Sequence, residues 1–211
     1  MREHITNLEE PMLKLHYAPR TVSIASAIIL EHTEQEYEAV RVDFSSNAQN
    51  SYDYLQLNPK GRVPTLETPD GVLTETPAIL EYIAPDMVPD DPFAAGRMRE
   101  LMSYLNGTMH PHHAHGLRGS RWASEESSFE DMRRMLPVRM ADCAAHVEAF
   151  LPKLPFDAGA MEVVSDAYLY VVLTWLKGDG VAIENYPRLT AFQHRMNTFP
   201  AVQAAYAKGM L

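Results

Sequence analysis

The chain has 211 residues, 46% of them hydrophobic, which allows one domain or two small ones with a buried core and excludes wholesale disorder. Its formal net charge of −10 argues against a nucleic-acid-coating role, and no apolar run reaches the ~18 residues of a membrane span or forms an export signal. A single cysteine, Cys143, excludes a disulfide framework and any cysteine-based zinc site, so we expect a cytoplasmic protein.

The first half of the chain predicts alternating strands and helices. Residues 1–12 show no period and predict a tail, whereas residues 12–17 alternate apolar and polar side chains as a strand does. Thr21 is expected to cap a helix that runs to about Glu31. Residues 37–44 predict a second strand, and residues 51–57 predict a short, irregular helix.

A hairpin and a third helix follow. Two short apolar segments, residues 63–67 and 72–74, flank a turn with Asp70-Gly71 at its tip, which is a hairpin signal. From residue 75 to about residue 84 the apolar side chains return to helical spacing. The first 85 residues therefore predict the order β-α-β-α-β-β-α.

The second half predicts helices only. Residues 85–91 are rich in proline and aspartate and predict a linker between residues 13–84 and an all-helical domain at residues 92–211. Four apolar stripes at helical spacing begin at Met98, Met132, Tyr168 and Leu189. The methionines in these stripes are expected to fill the core.

Two dipeptides carry the strongest binding signal. A cis peptide bond at Val63-Pro64, at the start of a strand, would leave the Val63 backbone free to pair with an extended peptide. Glu75-Thr76 opens a helix, where backbone N–H groups and the Thr76 hydroxyl favour a carboxylate and Glu75 can accept from an ammonium group. Together they predict a site for an amino-acid head group. The alternative is a plain turn followed by a capped helix.

These motifs resemble those of the cytosolic glutathione transferases, and in particular the bacterial beta class. The pattern N-P-K-G-x-V-P-x-L at residues 58–66, followed by T-E-x-x-A-I at residues 74–79, is typical of their first domain. The resemblance extends through residues 15–25, 165–175 and 192–202. It implies a thioredoxin-like βαβαββα domain, a C-terminal helical bundle, a homodimer and glutathione as co-substrate, with no metal.

The resemblance also implies roles for individual residues. Val63 would pair with the cysteinyl backbone of glutathione beside the cis proline Pro64, and Glu75 and Thr76 would hold its γ-glutamyl end. The beta class has a cysteine at the start of the first helix, where this chain has Val22, so a mixed disulfide with the protein is excluded.

Without that cysteine, a hydroxyl group is expected to stabilise the glutathione thiolate. Ser23 follows Val22 and matches a serine of the family pattern, and a hydroxyl at a helix N-terminus can donate to a thiolate. Thr21 is the nearby alternative and Tyr17 a weaker one. A third reading is that Thr21 or Ser23 merely caps the helix.

Three further residues are expected near glutathione. His110 matches the helical histidine that faces the ligand's sulfur in the beta class. Ser103 stands where that class has an asparagine, so contacts around glutathione would be partly altered. Arg20 lies in the active-site loop, where the family commonly has glycine, and would add a positive group.

Four histidines lie within six residues, at positions 110, 112, 113 and 115. Pro111 is expected to interrupt the helix, no carboxylate lies among the histidines, and H-E-x-x-H is absent, so we predict no metal site. With Arg118, Arg121 and Trp122 they are expected to line a substrate pocket that favours anionic or aromatic electrophiles. The alternative is a solvated surface.

The prediction is an enzyme that holds glutathione as its thiolate and conjugates it to a small electrophile. One alternative is glutathione-dependent reduction of disulfides or peroxides, with two glutathione thiols doing the redox work. Another is a non-catalytic glutathione-binding or regulatory protein that kept the fold.

Overall fold

The computed structural model describes residues 13–211, so the predicted tail at residues 1–12 lies outside the described residues. The first half alternates strands and helices in the predicted order. Its elements are β1 Leu13–Tyr17, α1 Ser23–His32, β2 Tyr37–Arg41, α2 Tyr52–Leu57, β3 Thr65–Thr68, β4 Gly71–Thr74 and α3 Thr76–Ile83.

The four strands form one mixed sheet in the order β2-β1-β3-β4. Strand β1 runs parallel to β2 and antiparallel to β3, and β3 and β4 form the predicted hairpin. Helix α1 is apolar almost all round, which is the pattern of a helix buried on every side. It packs against β1 and against helices of both halves, so the sheet domain and the helical domain share one core.

The second half is predominantly helical, as predicted. Its helices are α4 Pro92–Tyr104, α5 His110–Arg118, α6 Glu126–Phe150, α7 Ser165–Thr174, α8 Pro187–Met196 and α9 Pro200–Ala207. Met98, Met109 and Met140 of the predicted stripes are fully buried, which confirms their role as core residues, whereas Met132 is only partly buried. No helix within residues 13–211 is long and apolar enough to cross a membrane.

The start of α1 agrees in part with the prediction: the helix begins at Ser23, and Thr21 Oγ1 accepts from the Ser23 N–H at 3.4 Å, a long capping contact. Two other local predictions need correction. Strand β2 ends at Arg41, three residues early. Pro111 does not interrupt the helix, because it comes just after a π-helical turn, Leu105–Met109, where the backbone hydrogen-bond pattern changes, and so lies in the first turn of α5. Helix α9 was not predicted at all.

A π-helical turn at Leu105–Met109 joins α4 to α5 without a break. Each residue in such a turn donates to the fifth residue before it, which widens the helix locally. The turn brings Asn106 to the cavity described below, and Asn106 Oδ1 accepts from the Tyr168 hydroxyl at 3.3 Å. The helix therefore changes its geometry where it meets the candidate site.

Candidate active site between the sheet and the helical domain

One cavity lies between the sheet domain and the helical domain. The β1–α1 loop, the segment before β3 and the start of α3 form one wall, and α5 together with Trp175 forms the other. The cavity brings together seven of the ten residues expected at the glutathione site, which are Arg20, Thr21, Val63, Pro64, Glu75, Thr76 and His110. It is also lined by His113, Arg118, Arg121 and Trp122 of the expected substrate pocket.

The Val63–Pro64 peptide bond is cis, as the sequence predicts. The carbonyl of the preceding residue, Arg62, accepts hydrogen bonds from the Tyr54 hydroxyl and from Asn58 Nδ2, both at 2.7 Å. These two buried side chains fix the segment before β3. The Val63 backbone has no hydrogen-bond partner among residues 13–211 and faces the cavity, so it is available to an extended peptide.

Glu75 and Thr76 mark the start of α3. Glu75 has a positive φ of 73°, which is uncommon for residues other than glycine and asparagine. Its carboxylate accepts from Lys60 Nζ at 2.5 Å, and the same ammonium group donates to Thr74 Oγ1 at 2.7 Å. Thr76 is buried at the helix N-terminus. A ligand ammonium would therefore share Glu75 with Lys60, a partner that the sequence did not reveal.

The two hydroxyl groups near the start of α1 have different surroundings. Ser23 is fully buried and does not line the cavity, and its Oγ accepts from the Ala18 N–H at 3.2 Å. Thr21 lines the cavity, and its Oγ1 lies 2.7 Å from Ser23 Oγ and donates to the Ala18 carbonyl at 2.8 Å. Of these two hydroxyl-bearing residues expected near glutathione, Thr21 lines the cavity and Ser23, the preferred candidate, does not.

Two other residues expected near glutathione lie outside the cavity lining. Tyr17 ends β1 within the hydrophobic core, and its carbonyl accepts from the Val42 N–H at 2.7 Å. Ser103 is exposed on α4. Neither side chain is in place to contact a ligand in this chain's own cavity.

Arg20 occupies a backbone conformation that favours glycine. Its φ is 61°, in the left-handed region, and its N–H donates to the Met210 carbonyl at 2.8 Å. The C-terminal segment therefore holds the β1–α1 loop in place. The conformation costs a residue with a Cβ about 1 kcal/mol, and the side chain adds a cation to the cavity.

Two of the four clustered histidines face the cavity, and both contact Trp175. The His113 ring stacks on the Trp175 indole at 4.2 Å, and its Nδ1 donates to the Asp179 carboxylate at 2.8 Å. The His110 ring centre lies 5.0 Å from that indole. Burial lowers the pKa of His110 to about 4, and His113 and nearby arginines add to the effect. His110 is therefore a neutral imidazole near pH 7.

The other two histidines do not join them. His112 and His115 contact each other edge to face at 5.7 Å, and His115 also contacts Trp122 at 4.4 Å. Across residues 13–211, no group of three or more His, Cys, Asp or Glu side chains is placed to hold a metal ion. Cys143 is buried on α6 and does not line the cavity.

Sequence reasoning missed several residues that line the cavity. Lys60 and Arg62 lie within the N-P-K-G-x-V-P motif, so their position next to Val63 was a usable signal. Phe44 follows β2 in a loop, and Trp175 ends the apolar stripe of α7. Neither has a local sequence feature that distinguishes it from a core or surface aromatic residue.

Residues 11–85 match the family described as "Glutathione S-transferase, N-terminal domain". The chain is similar to glutathione S-transferase GstA of Escherichia coli O157:H7, with 30% identity over 92% of this chain and 96% of that protein. It is similar to the structure of a glutathione transferase homolog from Sulfitobacter with bound glutathione, with 47% identity, a TM-score of 0.90, and coverage of 95% and 99%. A bacterial beta-class glutathione S-transferase structure from Sphingomonas chungbukensis gives 30% identity, a TM-score of 0.78, and coverage of 94% and 100%.

Proposed function

Because the chain belongs to the glutathione S-transferase family, we propose that it binds glutathione between its two domains and transfers the glutathione sulfur to a small electrophile. One observation carries this proposal. Val63 with its unpaired backbone, the buried Thr76 at the start of α3, and Thr21 all line one cavity. They match three parts of a γ-glutamyl tripeptide: Val63 its extended backbone, Thr76 its carboxylate end and Thr21 its thiol.

The γ-glutamyl end is proposed to lie at the start of α3. Its carboxylate would accept from the Thr76 hydroxyl and the free backbone N–H groups of the first turn. Its ammonium would join Lys60 at the carboxylate of Glu75. The cysteinyl backbone would pair with Val63 in the manner of an added strand.

Thr21 is proposed as the hydroxyl that stabilises the thiolate. A thiolate is a stronger acceptor than the Ala18 carbonyl to which Thr21 now donates, so the hydroxyl proton would turn toward the sulfur. The Ser23 hydroxyl, 2.7 Å away, would then donate to Thr21 Oγ1. Ser23 is thus a positioning residue, and the N-terminus of α1 adds a favourable dipole. Both effects lower the pKa of the bound thiol.

The reaction balances without a protein nucleophile. The glutathione thiol loses its proton to water, the sulfur forms a bond to the electrophilic carbon, and the leaving group departs with its electron pair. His110, a neutral imidazole, would donate a hydrogen bond without adding charge. Val22 supplies no thiol at the helix start, so reduction of a disulfide or peroxide would need a second glutathione.

Two assays test the proposal. Calorimetry with millimolar glutathione should give heat of binding, and 1-chloro-2,4-dinitrobenzene should be conjugated with release of chloride. Turnover of a peroxide or a glutathione disulfide, without conjugation, would favour the reductase alternative. Glutathione binding without any turnover would favour the non-catalytic alternative.

We also propose that the chain forms a homodimer in the cytoplasm. Tyr52 on α2 and Phe93 on α4 are 78% and 71% exposed, and large apolar side chains at such exposure favour an interface. The single, buried cysteine fits a reducing compartment. Light scattering should give twice the 23.8 kDa mass of one chain, and a single-chain mass at micromolar concentration would contradict the dimer.

A further inference from the structure

Besides Arg20, three arginines that line the cavity have no acidic partner within residues 13–211. Arg62 comes from the segment before β3, and Arg118 and Arg121 come from the end of α5 and the turn that follows it. None of the three makes a salt bridge within residues 13–211, although most of the other arginines there pair with Asp or Glu. Although the chain has a net charge of −10, its described residues supply no anionic partner to these three arginines.

The three guanidinium groups lie close enough to affect each other. Burial, together with the charges of Arg118 and Arg62, lowers the pKa of Arg121 to about 10. The pKa of Arg118 is also lowered, by burial and by Arg62. Arg121 therefore stays cationic near pH 7. Like charges held together and partly out of water are costly, and a bound anion would relieve that cost.

The same part of the cavity offers apolar surface for the rest of a ligand. The Arg118 guanidinium lies 5.0 Å from the centre of the Phe44 ring, and Trp122 and Leu117 line the cavity nearby while remaining largely exposed. Guanidinium groups bind planar carboxylates through two parallel hydrogen bonds. The combination selects a ligand with a carboxylate on an aromatic or apolar body.

The one carboxylate among the lining residues, Glu75, is already paired with Lys60. Glu75 and Thr76 belong to the start of α3, whereas Arg118 and Arg121 belong to the helical wall. The arginine cluster is therefore separate from the proposed γ-glutamyl site. It belongs to the part of the cavity that the second substrate would occupy.

We propose that the second substrate of this enzyme carries a carboxylate, and that Arg118 and Arg121, with Arg62 opposite them, bind it. This inference rests on the proposed glutathione transfer. The carboxylate takes no part in bond making: the glutathione sulfur bonds to the electrophilic carbon, the leaving group departs with its electron pair, and the thiol proton goes to water. The arginines thus determine specificity and leave the chemical step to the thiolate.

A matched pair of substrates tests the proposal on the full chain. The pair is 4-chloro-3,5-dinitrobenzoate and its methyl ester, each rate being divided by the uncatalysed rate with glutathione. We expect the parent enzyme to favour the acid. Arg121→Gln and Arg118→Gln should each raise KM for the acid by about tenfold or more, as loss of a charge-assisted bond does, and leave the ester unchanged. Arg121→Lys should restore part of the loss.

Arg41→Gln is the matched control, because Arg41 is exposed, makes no ion pair among the described residues and lies outside the cavity lining. It changes the net charge equally and should change neither KM. Calorimetry with glutathione alone completes the design. We expect the arginine variants to bind glutathione as the parent does.

The possible failures are distinguishable. If the variants lose glutathione affinity and the acid-to-ester ratio does not change, the arginines hold a carboxylate of glutathione itself, and this inference is overturned while the proposed function stands. Equal normalised rates for acid and ester in the parent overturn it as well. If the parent neither binds glutathione nor conjugates either substrate, the proposed function fails first and this inference with it.

Discussion

The hydroxyl groups of Thr21 and Ser23 lie 2.7 Å apart at the start of α1, yet only Thr21 faces the cavity. Ser23 is fully buried beside the Ala18 backbone, where it fixes the loop that carries Thr21. We therefore expect Thr21 to contact a ligand and Ser23 to hold Thr21 in position.

Thr21→Val should lower kcat/KM for 1-chloro-2,4-dinitrobenzene by roughly tenfold to a thousandfold, since it removes one donor to the developing charge. Ser23→Ala should cost less and should raise the pKa of bound glutathione only slightly. Tyr17→Phe and the surface variant Thr198→Val serve as controls and should keep parental turnover. An active Thr21→Val together with an inactive Ser23→Ala would return the catalytic role to Ser23.

Two substitutions of Arg20 separate the effect of its backbone conformation on stability from the effect of its charge. Arg20→Gly and Arg20→Ala remove the same cation, but only glycine adopts a φ of 61° at no steric cost. The glycine variant should therefore be more stable than the alanine variant by about 1 kcal/mol in denaturant unfolding. Equal stabilities would contradict the left-handed conformation of this loop.

The apolar periodicity and the turn residues predicted the order of elements, because both are local properties of the sequence. Which of the two hydroxyls faces the cavity was not a local property, because it depends on how the β1–α1 loop folds back so that Ser23 contacts the Ala18 backbone and Thr21 lines the cavity. The effect of Pro111 on the helix was also mispredicted, because the π-helical turn before it has no recognisable sequence pattern. The grouping of Arg62 with Arg118 and Arg121 could not be predicted from the sequence, because only the packing of the helical domain places them in one cavity.

His110 should stay uncharged across the neutral range. Its pKa of about 4 lies below the ordinary value of 6.5, so its imidazole proton signals in NMR should not titrate between about pH 5.5 and pH 8. Because the folded pKa is lowered, this group contributes stability above pH 6.5 that is lost as the pH falls toward 4. A titration of His110 near pH 6.5 would contradict its burial.

Asp166 should make stability fall as the pH rises. Its Oδ2 accepts from the N–H groups of Gly159 and Met161, but Oδ1 has no partner within the described residues, and burial raises its pKa to about 7. The unfolded carboxyl loses its proton near pH 4, so this contribution is complete below that pH and is lost between about pH 4 and pH 7.

Denaturant unfolding of the parent and of Asp166→Asn measures that contribution. The difference in unfolding free energy between the two should shift in favour of the variant by up to about 1.4 kcal/mol per pH unit over this interval. A constant difference from about pH 4 to pH 8 would show that Asp166 is ionised throughout.

Loss of the head-group contacts should weaken glutathione binding. Thr76→Val removes the buried hydroxyl at the start of α3, and a lost hydrogen bond to a charged group costs about 1.5–3 kcal/mol. Calorimetry should therefore show a ten- to hundredfold rise in Kd for glutathione, with Thr198→Val unchanged as the control. An unaltered Kd would remove Thr76 from the site.

The central claim is that this cavity binds glutathione and holds it as the thiolate without a cysteine of its own. Ultraviolet titration of the thiolate in the protein–glutathione complex tests it most directly. We predict that the pKa of the bound thiol lies at least one unit below that of free glutathione, and that Thr21→Val moves it back toward the free value. A bound thiol that titrates like free glutathione, or no binding at millimolar concentration, would contradict the account.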